Sequence, residues 1–524
     1  MFVDARTLPD GSQVEADVCI VGAGAAGITI ARELRSRPFR VALLESGWLV
    51  PDPDTQSLYG GEVRNQAYFA LDSSRTRARY FGGTTNEWQG ECRPLSALDF
   101  EQRDWVPDSG WPFGITQLLP YYERAHRVCQ LGRFAYTAAD WRAAGAQPIA
   151  FVGARIHSNV FHYSPPTNFG AVYGGEIERA PNIVTYLGAN VVELETPRSP
   201  THVDGVRVAC LAGNGFRVKA RVFILAAGGI ENARLLLLSN RTQPAGLGNA
   251  YDLVGRYFME HLYVDRAASV LAPEARIGEF YTFGQRTEAG RVRGILALAP
   301  EVQRLERLTH FCTFIEADDA EPPAALGPAV LRALQRRRVS PRAIGHLRRA
   351  AARIVRRVAR RLSATDRSPR RYFFKTAMEQ APNRESRVML SQERDRLGCA
   401  RVALCWSLTS LDRRTFDRGH EILDEELRRA NVGRLNTAFG RPDDPWPPGL
   451  RGARHHMGTT RMHVDPRHGV VDPHCRVHGI SNLYVAGSSV FPTAGAANPT
   501  LTIVALTLRL AEHVDGALCE GRDA

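Results

Sequence analysis

Lysine is almost absent from this chain of 524 residues: Lys219 and Lys375 are the only two, so arginine supplies nearly all of the positive charge. No run of about 18 uncharged apolar residues is present, so we expect no membrane-spanning helix. The first residues include Asp4, Arg6 and Asp10 and no apolar segment, which is atypical of a secretory signal and predicts a cytoplasmic protein. The nine cysteines contain no C-x-x-C pair, which favours reduced thiols over a disulfide framework.

The net charge of +12 is concentrated in one segment, residues 332–371. This insert holds 15 arginines and one acid, Asp366, so the rest of the chain carries a net charge of −2. Apolar residues recur at helical spacing over 344–362, which predicts an amphipathic helix. Such a helix is expected to pack on the surface of a substrate domain or beside its entrance. The alternative is that it binds an anionic membrane or an acidic partner. No aromatic stacking platform accompanies the charge, so nucleic acid is not expected as a partner.

A glycine-rich turn near the N-terminus is the strongest motif. A short apolar run ends in G-A-G-A-A-G at residues 22–27, and a second apolar run ends in Glu45, 18 residues past Gly27. In a βαβ unit, Gly22 permits the sharp turn, Gly24 leaves the backbone open to a pyrophosphate, and Gly27 lets the helix approach the sheet. The helix N-terminus favours phosphate, and Glu45 is placed to accept hydrogen bonds from a ribose. The pattern predicts dinucleotide binding, but it does not choose between FAD and NAD.

Strand-like and helical segments alternate after this unit, which predicts an α/β protein. Apolar or alternating runs at 182–187, 190–194 and 205–209 are typical of strands. A further apolar run at 220–229 predicts a buried strand that leads into a helix at 231–238.

The length of the chain fits two lobes. We predict that residues 1–261 and 442–524 form one cofactor-binding domain and that residues 262–441 form an inserted substrate domain. Whether residues 126–180 join the substrate lobe is left open, because they show no clear periodicity.

Four further glycine-rich or polar motifs stand out: R-Y-F-G-G-T-T-N-E-W-Q-G at 79–90, A-A-G-G-I-E at 226–231, H-H-M-G-T-T-R-M at 455–462 and A-N-P-T-L-T at 497–502. With the turn at 22–27 and in this order, they resemble the glucose–methanol–choline (GMC) oxidoreductases over nearly the full chain. Asn498 and E-Q-A-P-N at 379–383 are most similar to the branch with pyranose oxidases and bacterial C-glycoside oxidases. The resemblance implies a Rossmann-like FAD-binding domain and an inserted domain built on an antiparallel sheet with helices.

The resemblance also implies a reaction, the FAD-dependent oxidation of an alcohol by hydride transfer to flavin N5. His455 matches the position of the base, and Asn498 matches the second site residue. An imidazole suits removal of the hydroxyl proton, and a neutral amide suits orientation of the hydroxyl. A secondary hydroxyl of a sugar, glycoside, cyclitol or related natural product is the favoured substrate. The alternatives are a primary-alcohol or sterol oxidase, or a lyase or photodecarboxylase of the same fold.

The residues predicted to hold FAD come from several segments. They are Gly22, Gly24, Gly27, Glu45, Ser46, Gly82, Gly83, Asn86, Trp88, Val192, Ala227, Gly487, Pro499 and Thr500. Some relatives carry in the G-G segment a histidine joined covalently to the flavin, and Glu87 takes that place here. We therefore expect non-covalent FAD, and either oxygen or another compound as the electron acceptor.

Two other histidines fit supporting roles. The position of His456 beside the predicted base favours a packing role for its side chain. For His261 we favour a structural role. Four histidines lie between His463 and His478, but no cysteine or carboxylate stands at fitting spacing, so no metal is expected. For Asn498, capping of the following helix is the alternative to a role in the reaction.

Overall fold

The structure is a computed structural model that describes residues 1–65, 76–165, 167–272, 277–282, 284–287, 290–317, 370–437, 445–447 and 449–520. The predicted amphipathic helix at 344–362 lies outside the described residues. The proposed role of the arginine-rich insert therefore stays a prediction.

The strands of the described chain, β1 to β22 in order, are Phe2–Asp4, Ser12–Glu15, Val18–Val21, Val41–Glu45, Gly61–Val63, Glu91–Cys92, Ile156–Tyr163, Ile183–Leu187, Asn190–Glu195, Gly205–Ala209, Gly215–Lys219, Val222–Leu225, His261–Ala272, Gln285–Thr287, Gly290–Leu298, Phe311–Ala317, Arg370–Glu379, Arg387–Arg394, Ala400–Cys405, Asn436–Thr437, Leu450–Gly452 and Leu483–Val485. Its α-helices, α1 to α10, are Ala25–Leu34, Pro53–Gln56, Ala97–Phe100, Leu119–Val128, Phe169–Arg179, Glu231–Leu238, Glu279–Thr282, Pro300–Glu306, Ser410–Arg429 and Thr500–Glu520. The predicted helix at 231–238 is confirmed.

A parallel sheet of six strands forms the Rossmann-like part, in the order β1-β8-β4-β3-β12-β22. Every residue of β3, β4, β12 and β22 is buried, as expected for parallel strands covered on both faces. Beside this sheet, α1 packs against α5 and α10, and α10 also packs against α4. The predicted α/β class is confirmed.

The strands of a second, larger sheet pair antiparallel with their neighbours. Its order is β20-β13-β17-β16-β15-β7-β6, with β14 paired to β15 and β21 paired to β13. One face packs on α9 through Phe374 and Phe416, and the other carries Tyr263, Phe314 and Ala377. Because β6 and β7 precede residue 262, the limits of the domains stay a prediction. No helix of the described chain combines the length and apolar character needed to cross a bilayer.

A buried ion pair joins the loop at 101–111 to the larger sheet. Both guanidinium Nη atoms of Arg103 donate to the carboxylate of Glu379, at 2.8 and 2.6 Å, and neither side chain is exposed. Asp99 and His310 lie beside this pair, with Asp99 Oδ1 and His310 Nε2 2.7 Å apart. Since Arg103 occupies both oxygens of Glu379, we interpret these four side chains as an ion-pair network and not as a set of metal ligands.

Replacing Arg103 by methionine should lower the free energy of unfolding by about 3–5 kcal/mol, because Glu379 would keep a buried charge without its main partner. Thermal and urea denaturation of the variant measure this loss. The double variant Arg103→Met/Glu379→Met is the control and should recover most of it. Equal loss in the single and double variants would contradict the assignment of a charge penalty.

Candidate active site

A cavity of about 760 Å³ lies between the two sheets. The parallel sheet contributes the turns that follow β3, β4, β12 and β22, all at the carboxyl ends of the strands. Ligands of open α/β sheets bind at this edge because the connecting turns diverge there. The opposite wall comes from β6, β13, β17 and β21 of the larger sheet.

The turns facing the cavity have a bare backbone, which fits an extended flat ligand. A Cβ atom built on Gly24, Gly228 or Gly487 would meet no atom within 4 Å, and all three residues line the cavity. The φ angles of Gly228 and Gly487, +92° and +113°, also favour glycine. Three separate turns therefore leave open space where a cofactor would touch the main chain.

The N-terminus of α1 opens onto the same space. Gly24 is its N-cap and makes no side-chain capping bond, and the first turn contains no acid. The partial positive charge of this helix end would favour a pyrophosphate. Gly83 belongs to the same wall: a Cβ atom there would come 2.9 Å from the Cα of Gly24.

Glu45 ends β4 with a buried and fixed carboxylate. Its Oε2 accepts a hydrogen bond from the N–H of Ala23 at 2.9 Å, and its Oε1 accepts one from the N–H of Gly47 at 2.8 Å. Its neighbour Ser46 accepts a hydrogen bond from Nε of Arg79 at 2.8 Å. The remaining lone pairs of the carboxylate suit the hydroxyls of a ribose.

Most residues predicted to hold FAD line this one cavity. They are Gly22, Gly24, Glu45, Ser46, Gly83, Trp88, Val192, Ala227, Gly487, Pro499 and Thr500. Gly27, Gly82 and Asn86 lie behind its wall. A Cβ atom on Gly27 would come 1.9 Å from the carbonyl oxygen of Gly22, and the amide of Asn86 donates to the carbonyl of Phe81 at 2.9 Å. These three residues shape the turns and do not face the cavity.

The two predicted residues of the reaction, His455 and Asn498, also line the cavity. Nδ2 of Asn498 lies 3.4 Å from Oε2 of Glu91, and the hydroxyl of Tyr163 donates to Oε1 of the same carboxylate at 3.0 Å. The carboxylate thus orients the amide. The second N–H and the carbonyl oxygen of the amide remain to meet a ligand.

Two neighbours fix the main chain at His455: Glu260, which immediately precedes β13, and Arg454. Glu260, which is fully buried, accepts the N–H of His455 through Oε2 at 2.7 Å, and its Oε1 lies 3.2 Å from Nε2 of His456. Arg454 has a left-handed φ of +68°, a strained conformation for a residue with a side chain. The loop before the base is therefore fixed at its backbone.

Burial determines the charge of both histidines. Burial is the main reason why the pKa of His455 lies well below its ordinary value, and the neighbouring His261 and His456 lower this pKa further. Burial also lowers the pKa of His456 to about 3, with Arg77 and Arg454 contributing. Both imidazoles are therefore neutral near pH 7, and a neutral imidazole is the form that accepts a proton.

Four residues that the sequence motifs do not mark also line the cavity: Glu91, Tyr263, Lys375 and Arg451. Burial lowers the pKa of Lys375, whose ammonium lies 4.4 Å from the ring centroid of Tyr263. The alternation of side chains along a strand could have placed Tyr263 on the face of His261. No local signal marks the other three, which reach the cavity through the pairing of distant strands.

Two family models match this chain. The model of the family described as FAD dependent oxidoreductase matches residues 17–364, and that of GMC oxidoreductase matches residues 382–507. The protein belongs to the FAD-dependent GMC oxidoreductases. This GMC oxidoreductase therefore binds FAD, and the expected family membership is confirmed.

Individual relatives of this GMC oxidoreductase include two named oxidases. The chain is 26% identical to 6'''-hydroxyparomomycin C oxidase of Streptomyces lividus, over 97% of this chain and 93% of that one. It is 43% identical to C-glycoside 3-oxidase of Arthrobacter globiformis over 20% of this chain and 21% of the relative. The fold is similar to that of pyridoxine 4-oxidase from Mesorbium loti, with a TM-score of 0.57 and 17% identity over 95% of this chain and 98% of the other.

Proposed function

We propose that this GMC oxidoreductase oxidises a secondary hydroxyl of a sugar, glycoside, cyclitol or related natural product, with His455 as the base. The observation that carries the proposal is the common cavity. His455 and Asn498, from the last fifth of the chain, line the same space as the bare turns at Gly24, Gly228 and Gly487. A cofactor held by these turns would lie beside a neutral imidazole and a carboxamide.

FAD, when bound, supplies the acceptor for the hydride that leaves the carbinol carbon. His455 takes the hydroxyl proton on a ring nitrogen, for which its neutral state suits it. Asn498 holds the hydroxyl oxygen in line with the imidazole and donates to the negative charge that develops on it. Glu91 keeps the amide in place for this contact. The surrounding wall, with the buried ring of Tyr263, limits the access of water to the base.

The class of substrate is supported by the relatives. The oxidases of 6'''-hydroxyparomomycin C and of C-glycosides both act on compounds with several hydroxyl groups. A cavity wall that carries Glu91, Lys375 and Arg451 offers the hydrogen-bonding groups that a polyhydroxylated ligand requires. An apolar wall alone would favour a sterol.

Glu87 in the cavity wall bears on how FAD is bound and on which electron acceptor is used. Glu87 lines the cavity, and a carboxylate does not form the histidyl link of some relatives. We therefore propose non-covalent FAD, which acid precipitation of the protein should release into solution. A flavin without that link has a lower potential, so both oxygen and another acceptor are retained as candidates. A cytoplasmic location also stays a prediction.

Anaerobic reduction of the bound flavin tests the reaction. The FAD-loaded protein is mixed with sugars, glycosides, aminocyclitols, paromamine and sterols, and bleaching of the flavin absorbance is followed. Bleaching by a polyhydroxylated compound, with one ketone formed per flavin reduced, supports the proposal. An aldehyde product would indicate a primary-alcohol oxidase. No bleaching with any alcohol would favour the non-oxidative alternative, a lyase or photodecarboxylase.

The pH dependence of flavin reduction should reflect the neutral state of His455. Burial lowers its pKa in the folded protein well below the ordinary value, so the neutral base form predominates between pH 6 and pH 8. We expect the reduction rate to stay level over this range and to fall only in more acid solution, where the imidazole becomes protonated. Stopped-flow reduction at each pH, with the bound FAD measured in parallel, provides the profile. A loss of rate centred at or above pH 6.5 would contradict the assignment.

A further inference from the structure

The side chain of His261 lies directly behind that of His455. Nδ1 of His261 and Nδ1 of His455 are 2.9 Å apart, and the two rings are nearly perpendicular, at 85°. His261 begins β13, 194 residues before His455 in the chain. Its side chain is 1% exposed, so water does not compete for this contact.

The other nitrogen of His261 fixes its protonation. Nε2 lies 3.2 Å from the carbonyl oxygen of Ala494, and a carbonyl oxygen only accepts hydrogen bonds. Nε2 therefore carries the hydrogen of the neutral ring. Burial lowers the pKa of His261, which keeps this ring neutral, and its Nδ1 presents a lone pair.

The geometry points to His261 as a positioning residue that selects the tautomer of His455. Because Nδ1 of His261 accepts, Nδ1 of His455 must donate, and the single ring hydrogen of His455 lies there. The lone pair of His455 is then on Nε2, the nitrogen on the opposite side of the ring from His261. Nε2 of His455 is the atom that receives the hydroxyl proton.

The role of Nε2 as proton acceptor rests on the proposed function, but the tautomer of His455 can be measured directly. The FAD-loaded protein is labelled with ¹⁵N-histidine, and long-range ¹H–¹⁵N spectra report which nitrogen of each ring is protonated. The variant His455→Gln identifies the signals of His455 by their disappearance. We expect a protonated Nδ1 and an unprotonated Nε2 in the unmodified protein.

Two replacements at residue 261 separate positioning from packing. His261→Phe fills the space but offers no acceptor, and it should convert His455 to the Nε2–H form or to a mixture. His261→Asn offers an amide oxygen near the position of Nδ1 and should restore the Nδ1–H form. His420→Phe is the matched control: His420 is also buried and bonded, to Thr376 and Phe416, and it does not line the cavity. Its loss should leave the signals of His455 unchanged.

Rates of flavin reduction provide the second measurement. His261→Phe should lower the limiting rate about 10- to 100-fold, a part of the roughly 10²- to 10⁴-fold that a general base contributes, with an unchanged apparent Kd for the substrate. His261→Asn should recover most of the rate. An Nε2–H tautomer in the unmodified protein, or a tautomer that His261→Phe leaves unchanged, would overturn the inference whether or not any alcohol reduces the flavin. If the spectra agree but no alcohol bleaches the flavin, the proposed function fails and the assigned tautomer stands.

Discussion

Replacement of His455 by alanine should slow flavin reduction by about 10²- to 10⁴-fold while the protein keeps its FAD. The imidazole is the buried neutral group of the cavity that we assign to removal of the hydroxyl proton. Its loss leaves the bare turns and Glu45 in place, so the cofactor should bind as before. Anaerobic stopped-flow reduction, with bound flavin measured by absorbance, separates the two effects.

His202→Ala is the control for this variant. His202 is exposed, pairs with Asp204 at 3.0 Å and does not line the cavity, so its replacement should leave the rate of reduction unchanged. A His455→Ala protein that holds FAD and is reduced at the original rate would remove the assignment of the base. A variant that loses FAD would instead show that the imidazole contributes mainly to the shape of the cofactor site.

The second large effect is expected from Gly24 and Gly27, two glycines of the same turn whose surroundings in the structure differ. A Cβ atom on Gly27 would lie 1.9 Å from the carbonyl oxygen of Gly22, which belongs to the backbone and has no room to move. Gly27→Ala should therefore push α1 from the sheet, lower stability by about 1–3 kcal/mol and abolish FAD binding. Thermal unfolding of the apoprotein and fluorescence titration with FAD measure both quantities.

Gly24→Ala should weaken FAD binding but leave the stability of the apoprotein almost unchanged. Its φ of −85° is open to alanine, and the added Cβ atom meets nothing within 4 Å in the protein. We expect apoprotein stability to change by less than about 1 kcal/mol, the scale of an N-cap replacement, and the Kd for FAD to rise at least about tenfold because the methyl group takes the space of the pyrophosphate. Gly516→Ala, on the exposed side of α10, is the control and should leave FAD affinity unchanged. An unchanged Kd in Gly24→Ala would show that the pyrophosphate does not pass this residue.

The local elements of the structure could be predicted because residues close together in the sequence specify them. The turn at 22–27 needs glycine at fixed positions, and the strand before it needs a continuous apolar run. The helix at 231–238 was predicted at its observed bounds, since a buried strand and small residues precede it. The family resemblance then supplied FAD and the alcohol, which no spacing within one segment specifies.

Contacts between distant segments could not be predicted in this way. Arg103 and Glu379 are separated by 276 residues and form one buried pair, although each residue alone reads as an ordinary surface charge. Glu91 faces Asn498 across 407 residues for the same reason. The loop at 101–111 and the segment before α10 meet strands of the larger sheet only in the folded chain, and periodicity within one segment does not specify its neighbour.

By itself, the sequence predicted a dinucleotide on the turn after β3. Through the family resemblance it also named an imidazole and a carboxamide near the C-terminus as candidates for the chemistry. The tertiary structure alone decided what surrounds that imidazole: Glu260 at its backbone N–H and His261 at its Nδ1. The physical reason is that a tautomer depends on the partner of each ring nitrogen, and folding brings those partners from a strand almost 200 residues away.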